Sequence, residues 1–138
     1  MVKSTVMVAG KFDPLHNGHI DHIIKASSFG YLYIVTHTDE VLDKVKPKGH
    51  QVPLWARVAT LKGILRQFNI EGEVVIAKDD DGSVVKTLAS YHPDFFIKGG
   101  DRIASNMPEE ELKVCRENNI RVIYGVGNLL NSSSGMIL

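Results

Sequence analysis

The segment Val8-Ala9-Gly10-Lys11-Phe12-Asp13-Pro14-Leu15-His16-Asn17-Gly18-His19 decides how this chain is read. It opens as the end of a buried strand, breaks at Gly10 and turns through Asp13-Pro14. It then delivers two histidines across one glycine at the start of a helix. A helix N-terminus presents unpaired N–H groups and partial positive charge, so it attracts phosphate. Imidazoles placed there donate hydrogen bonds to phosphate oxygens as charge builds on them. The segment therefore points to chemistry on a nucleotide.

Working outward, Val6-Met7-Val8-Ala9 is a short apolar run closed by glycine, a buried strand. Ile20, Ile23, Ile24 and Ala26 then recur at helical spacing and predict a helix from Gly18 to about Phe29, ended by Gly30. Tyr31-Leu32-Tyr33-Ile34-Val35 reads as a second buried strand, and His37 to Gln51 as a polar, lysine-bearing loop. Pro53 fits the first turn of a helix whose apolar face is Leu54, Val58, Leu61, Ile64, Leu65 and Phe68.

Val74-Val75-Ile76 is a third strand. Asp79-Asp80-Asp81-Gly82-Ser83 is a turn that caps a helix through Val84, Val85 and Leu88. Phe95-Phe96-Ile97 follows Pro93 as a fourth strand. Pro108 and Glu109-Glu110-Glu111 open a helix through Leu112, Val114 and Cys115, with carboxylates in its first turn. Arg121-Val122-Ile123-Tyr124 is a fifth strand, broken by Gly125 and Gly127, and Asn131-Ser132-Ser133-Ser134 caps one last short helix.

Strand and helix alternate throughout, which predicts an α/β fold: a Rossmann-like open parallel sheet of about five strands with helices on both faces. Ligands of such sheets bind beyond the carboxyl ends of the strands, near the switch in strand order. The loops after Ala9, Val35, Ile97 and Tyr124 should open on that edge.

The 138 residues are expected to form one domain, residues 1–138. A formal net charge of zero argues against nucleic acid as a partner, so any anion site must be built locally from a few lysines, arginines and backbone amides. Cys115 is the single cysteine; an intrachain disulfide is excluded, and the residue reads as packed rather than nucleophilic. No apolar run approaches the ~20 residues of a membrane helix, so no membrane partner is expected. The first residues carry no leader pattern, and a cytoplasmic location is expected.

The first loop matches neither a P-loop nor the glycine-rich dinucleotide fingerprint. Its Gly10-Lys11-Phe12-Asp13-Pro14-Leu15-His16-Asn17-Gly18-His19 resembles the His-x-Gly-His nucleotidyltransferase superfamily, nearest to the small cytidylyltransferase-like enzymes. The resemblance continues through Thr38-Asp39-Glu40, Arg57, Lys98-Gly99-Gly100-Asp101 and Ser132-Ser133-Ser134, in order and after the matching strands. It implies in-line attack of an acceptor phosphate on the α-phosphorus of a nucleoside triphosphate, with pyrophosphate leaving. Positioning and charge stabilisation would carry most of the rate.

The roles carried over by this resemblance are these. His16 and His19 contact the phosphates and the developing charge, and Gly18 lets the triphosphate approach the backbone. Lys46, and with it Lys44, reaches over the triphosphate, and Arg57 faces the site. The first-loop residues Gly10, Lys11, Phe12 and Asp13 belong to the nucleotide site. Lys98, Gly99 and Asp101 surround the base and ribose, and Ser132, Ser133 and Ser134 bind the outer phosphates. Magnesium accompanies the triphosphate, the acceptor is a phosphorylated small molecule such as a sugar or polyol phosphate, and a homodimer is expected.

Each assignment has a plainer competitor: helix-cap histidines, solvated lysines, a surface salt bridge at Arg57, a tight turn at Gly99, a frayed serine tail. Zinc on His16, His19 and His22 lacks a nearby carboxylate or thiolate, and His22 reads as a helix-face residue. Asp79-Asp80-Asp81 is assigned no metal role. Two further functional readings are a nucleotide-sensing module without catalysis and an aminoacyl-tRNA synthetase-like activity; the chain is short for the latter. Gly125-Val126-Gly127-Asn128-Leu129-Leu130 lacks the arginine that cytidylyltransferases carry before the serine motif, which tilts the base from CTP toward ATP. The chain ends four residues after Ser134, so the last helix is a single turn or the C-terminus packs on a second subunit.

Overall fold

Val6 and Val8 point to one side of the first strand, β1 (Thr5–Ala9), and Met7 to the other, and all three have no exposed surface. A strand apolar on both faces needs a layer on each side. The computed structural model describes residues 3–99 and 107–127 and supplies both layers. After β1 come α1 (Asn17–Ala26) with a short 3-10 turn, β2 (Tyr31–Thr36), α2 (Asp39–Val45) and α3 (Leu54–Gln67). Then follow β3 (Gly72–Ile76), α4 (Val85–Tyr91), β4 (Phe95–Ile97), α5 (Glu109–Glu117) and β5 (Arg121–Ile123).

The five strands are all parallel in the order β3-β2-β1-β4-β5. The order reverses between β1 and β4, so a crevice opens where the chain leaves their carboxyl ends. On one face Ile23 and Ala26 of α1 and Leu61, Ile64 and Leu65 of α3 pack on Val6, Val8, Leu32 and Ile34. On the other, Leu88 of α4 and Val114 and Cys115 of α5 pack on Met7, Val35, Val75 and Phe96. The alternating side-chain directions of β1 and β2 thus decide which helix lies on which side.

Two expectations are corrected. The loop from His37 to Gln51 contains a helix, α2: Thr38 Oγ1 accepts from Val41 N at 3.2 Å, Asp39 and Glu40 sit in its first turn, and Val41 and Leu42 are buried. Seven residues are too few for apolar periodicity to stand out. Phe68 does not belong to the buried face of α3; it follows the helix end and is 46 % exposed. The last short helix expected at Asn131–Ser134 lies outside the described residues, as do Gly100 and Asp101.

A buried charge ties the site edge together. Arg57 of α3 is 2 % exposed, and its guanidinium donates to Val52 O at 2.9 Å, Thr36 Oγ1 at 2.8 Å, His37 O at 2.8 Å and Asp39 Oδ1 at 2.8 Å, with a longer contact to Lys11 O at 3.4 Å. One side chain therefore joins the loops after β1 and β2, the start of α2 and the approach to α3. Only a planar fork of five donors does this.

Asp13 forms a second clamp. Its side chain has no exposed area and accepts from the Lys46 ammonium, Gln51 N and Val52 N. Burial raises its pKa, but the ammonium and the two backbone N–H groups outweigh burial and hold it at about 2, below the ordinary 3.8. Its folded value is the depressed one, so the clamp stabilises fully above about pH 4 and its contribution is lost as pH falls through about 2.

Arg57→Met leaves Val52 O, Thr36 Oγ1, His37 O and Asp39 Oδ1 without their donor and should cost about 3 kcal/mol, measured as a lower urea midpoint with unchanged slope. Asp13→Asn should remove about 2 kcal/mol of the stability lost between about pH 4 and about pH 2, read by comparing urea melts of the two proteins across that range.

Candidate functional site

The two histidines of the opening segment cap α1 and hold each other. His16 is the N-cap; its Nδ1 accepts from Gly18 N at 3.1 Å, and His19 Nδ1 accepts from His16 N at 3.2 Å. The rings stack with centroids 3.7 Å apart and planes 21° apart, and the edge of His19 meets the buried Phe12 ring at 5.1 Å. Histidine thus takes both places of a capping box that a serine and a glutamate usually fill.

This geometry has a chemical consequence. An Nδ1 that accepts a backbone N–H carries no proton, so each neutral ring bears its proton on Nε2, on the edge away from the helix end. Burial first, then the neighbouring His16 and His22, lowers the His19 pKa from 6.5 to about 4. His19 is therefore an uncharged donor at neutral pH, positioned without a charged form.

The first loop supports this pair from below. Gly10 N donates to Val35 O at 3.0 Å, and a Cβ on Gly10 would stand 3.0 Å from the Phe12 ring. Phe12 takes a positive φ of 51° and is 3 % exposed, so its ring is a prop under His19 rather than a surface contact. Gly18 is buried at the helix start.

The sequence-predicted cations are placed differently from one another. Lys11 and Lys44 are exposed. Lys46 is tied to Asp13, donating to its carboxylate and, at 3.0 Å, to its carbonyl. Arg57 lies beneath the site with its side chain wholly covered, so its contact with this edge runs through Thr36, His37 and Asp39. Lys98 stands 4.6 Å over the Phe96 ring, and Gly99 O accepts from Gly125 N at 3.2 Å, which joins the loops after β4 and β5. Asp101, Ser132, Ser133 and Ser134 lie outside the described residues.

His22 is not the helix-face residue its position suggests. It is 6 % exposed, and its Nδ1 meets Val126 O at 2.7 Å, so the ring is a strut from α1 to the loop after β5. Gly127 completes the approach: its φ is +74°, and a Cβ there would stand 2.9 Å from Asp21 Oδ2 and 3.0 Å from the backbone of His22.

A cleft of about 260 Å³ opens at the carboxyl ends of β1, β2 and β4, with Gly10, Lys11, His37, Val84, Lys98 and Glu111 among its walls; His16 and His19 do not line it. His37 and Glu111 were not singled out from the sequence. Nothing in one dimension marks a histidine after a strand or one glutamate of three as lining a cleft. Among the described residues no group of three or more His, Cys, Asp or Glu side chains could hold a metal ion. Asp13 is taken up by Lys46, and Asp79 accepts from Lys86 N, Thr87 N and Thr87 Oγ1. These carboxylates do not fit a resident magnesium ion; magnesium would enter as part of the triphosphate substrate. No helix among the described residues is long and apolar enough to cross a membrane.

The cytidylyltransferase-like family profile matches residues 7–130. The bifunctional protein HldE of Aeromonas hydrophila is 32 % identical over 101 residues, which cover 72 % of this chain and 20 % of that protein. This chain thus spans about a fifth of the length of the HldE proteins it matches. The FAD synthase of Picrophilus torridus is 28 % identical over 121 residues, covering 86 % of this chain and 81 % of that one. The lipopolysaccharide core biosynthesis protein of Thermoplasma volcanium shares the fold, with a TM-score of 0.70 at 22 % identity over 91 % of this chain and 98 % of that chain. The profile spans the histidine helix, the Arg57 clamp and the strands that frame the cleft, and the chain belongs to the cytidylyltransferase-like family of nucleotidyltransferases.

Proposed function

We propose that this chain is a single catalytic domain that moves a nucleoside monophosphate from a nucleoside triphosphate to a phosphorylated small molecule. An acceptor phosphate oxygen forms a bond to the α-phosphorus. The bond from that phosphorus to the bridging oxygen breaks, and the bridging oxygen leaves with the electron pair as part of magnesium-bound pyrophosphate. The acceptor phosphate is already ionised, so no strong base is needed. The rate would come from alignment and from donors aimed at the developing charge.

One observation carries this reading: two mutually capped, stacked imidazoles at the N-terminus of α1, each with its Nδ1 taken by a backbone N–H and its proton therefore on Nε2. His16 and His19 donate to the triphosphate, with Gly18 giving close backbone access. Lys44 and Lys46 add positive charge from the α2 side, and Asp13 and Arg57 are positioning residues that hold this loop system. Lys98, Gly99 and Asp101 take the base and ribose, and Ser132, Ser133 and Ser134 the outer phosphates. The missing arginine before the serines favours ATP over CTP. The family and its FAD synthase and HldE relatives support nucleotidyl transfer in general; a sugar or polyol phosphate as the acceptor is part of this proposal. A cytoplasmic homodimer completes the proposal.

A pyrophosphate-release screen crossing four nucleoside triphosphates with sugar, polyol, amino-alcohol and flavin phosphates should find turnover with magnesium, highest with ATP. Tight triphosphate binding by calorimetry, with no pyrophosphate across the whole panel, would instead mark a nucleotide-binding module. His16→Asn keeps an acceptor for Gly18 N and so keeps the helix start, but it loses the Nε2 proton. It should lower kcat by about 100-fold or more while the melting temperature holds; unchanged turnover would remove His16 from the mechanism. Nitrogen-15 spectra should find the His19 ring neutral and protonated on Nε2 down to about pH 5, one unit above its pKa of about 4.

A further inference from the structure

The sheet holds the two walls of its crevice unequally. β1 pairs with β2 along its whole length, from Thr5↔Tyr31 to Ala9↔Val35, but with β4 only at Val6↔Phe95 and Met7↔Phe96. Past Met7, among the described residues, no strand pairing ties the chain leading to His16 and His19 to the chain leaving β4. On the far wall the loops after β4 and β5 are joined to each other. Gly125 N donates to Gly99 O at 3.2 Å, and Val126 N donates to Lys98 O at 3.1 Å. Nothing in that pairing fixes the distance of these loops from α1.

His22 spans that gap. It follows His19 by one turn of α1, is 6 % exposed, and its Nδ1 meets Val126 O at 2.7 Å. A carbonyl only accepts, so the Nδ1 of His22 carries the proton, the tautomer opposite to that of His16 and His19. Burial, with Lys98 nearby, lowers the His22 pKa; the Val126 hydrogen bond and Asp21 oppose this only in part, and the ring is left uncharged. The strut therefore adds no charge beside Lys98. The two segments also touch: a Cβ on Gly127 would stand 3.0 Å from the His22 Cα and 3.2 Å from its N. An apolar side chain could fill this position without needing a partner, whereas a buried imidazole must find one. What the imidazole contributes beyond filling is a fixed distance to the loop after β5.

We infer that His22 is a positioning residue that, through Val126, sets the gap between the phosphate donors His16 and His19 and the nucleotide loops after β4 and β5. This rests on the nucleotidyl-transfer reading above and adds the residue that brings both walls onto one triphosphate. A ligand that spans two walls gains from both only when their spacing is preset, and a misplacement of about 1 Å costs about 100-fold in rate. A ligand that touches one wall does not sense the spacing.

The test compares wild type with His22→Leu, which fills the position without a donor, and His22→Asn, whose amide N–H takes the place of Nδ1–H. Melting temperatures come first: leucine in this buried position should hold or raise stability, and asparagine should lower it. Binding and turnover should rank the other way. His22→Leu should weaken ATP binding about tenfold by calorimetry and lower kcat about tenfold, and His22→Asn should stay within about threefold of wild type in both. Adenosine engages only the loops after β4 and β5, and by NMR titration it should bind all three proteins within about twofold. Nitrogen-15 spectra should find the His22 ring protonated on Nδ1; a proton on Nε2 instead would remove the bond to Val126 and the inference with it. Unchanged ATP affinity in His22→Leu, activity that follows melting temperature, or an equal loss of adenosine and ATP binding would overturn the inference while leaving nucleotidyl transfer intact. ATP binding without pyrophosphate release from any acceptor ends the reading of function, and calorimetry then still decides the strut. Should CTP bind in place of ATP, CTP and cytidine take the same roles; if wild type binds neither, both readings fail.

Discussion

A single buried guanidinium underlies the organisation of the ligand edge. Parallel strands end in loops that have no reason to stay together, because each leaves the sheet with unpaired carbonyls. Arg57 reaches up from α3 and ties Thr36, His37, Val52 and Asp39 to one planar group. Burying a charge carries a heavy desolvation cost, offset only when every donor has a partner. The same network therefore constrains the loops: none of them moves without exposing an unpaired donor. Asp13 repeats this arrangement with opposite sign, a covered carboxylate ringed by Lys46, Gln51 and Val52.

On that foundation stands an unusual helix start. His16 and His19 satisfy the first N–H groups of α1 through their Nδ1 atoms, and this leaves Nε2 as the proton-bearing edge. Capping and chemistry are one arrangement: the hydrogen bonds that start the helix also choose the tautomer. Phe12 beneath His19 and the stacking of the two rings remove rotational freedom from the pair. In the reaction proposed above, preorganisation of this kind would lower the barrier, because donors need not reorient as charge develops.

Much of this was legible in one dimension. The apolar runs at Val6–Ala9, Tyr31–Val35, Val74–Ile76, Phe95–Ile97 and Arg121–Tyr124 predict five strands, and the described residues form five parallel strands. The periodic isoleucines place the first helix from Gly18, and the structure starts it one residue earlier, at Asn17. Asp79 caps α4 from the acidic turn that the sequence placed there. The helix α2 was missed although Thr38-Asp39-Glu40 is a helix-start signal, because the lysines that follow dominate the composition.

Strand order, loop adjacency and burial follow from pairings between residues far apart in the chain, and no local pattern encodes them. The sequence by itself determined the elements, their alternation and the histidine pair, since these depend on near neighbours and on periodicity. Only the tertiary structure decided that Arg57 and Asp13 lie under the site, that His22 braces Val126, and that His37 and Glu111 share one cleft. Those outcomes depend on which charged and polar groups lose water together. That loss is settled when β1 is seated between β2 and β4 and the two helical layers close over the sheet.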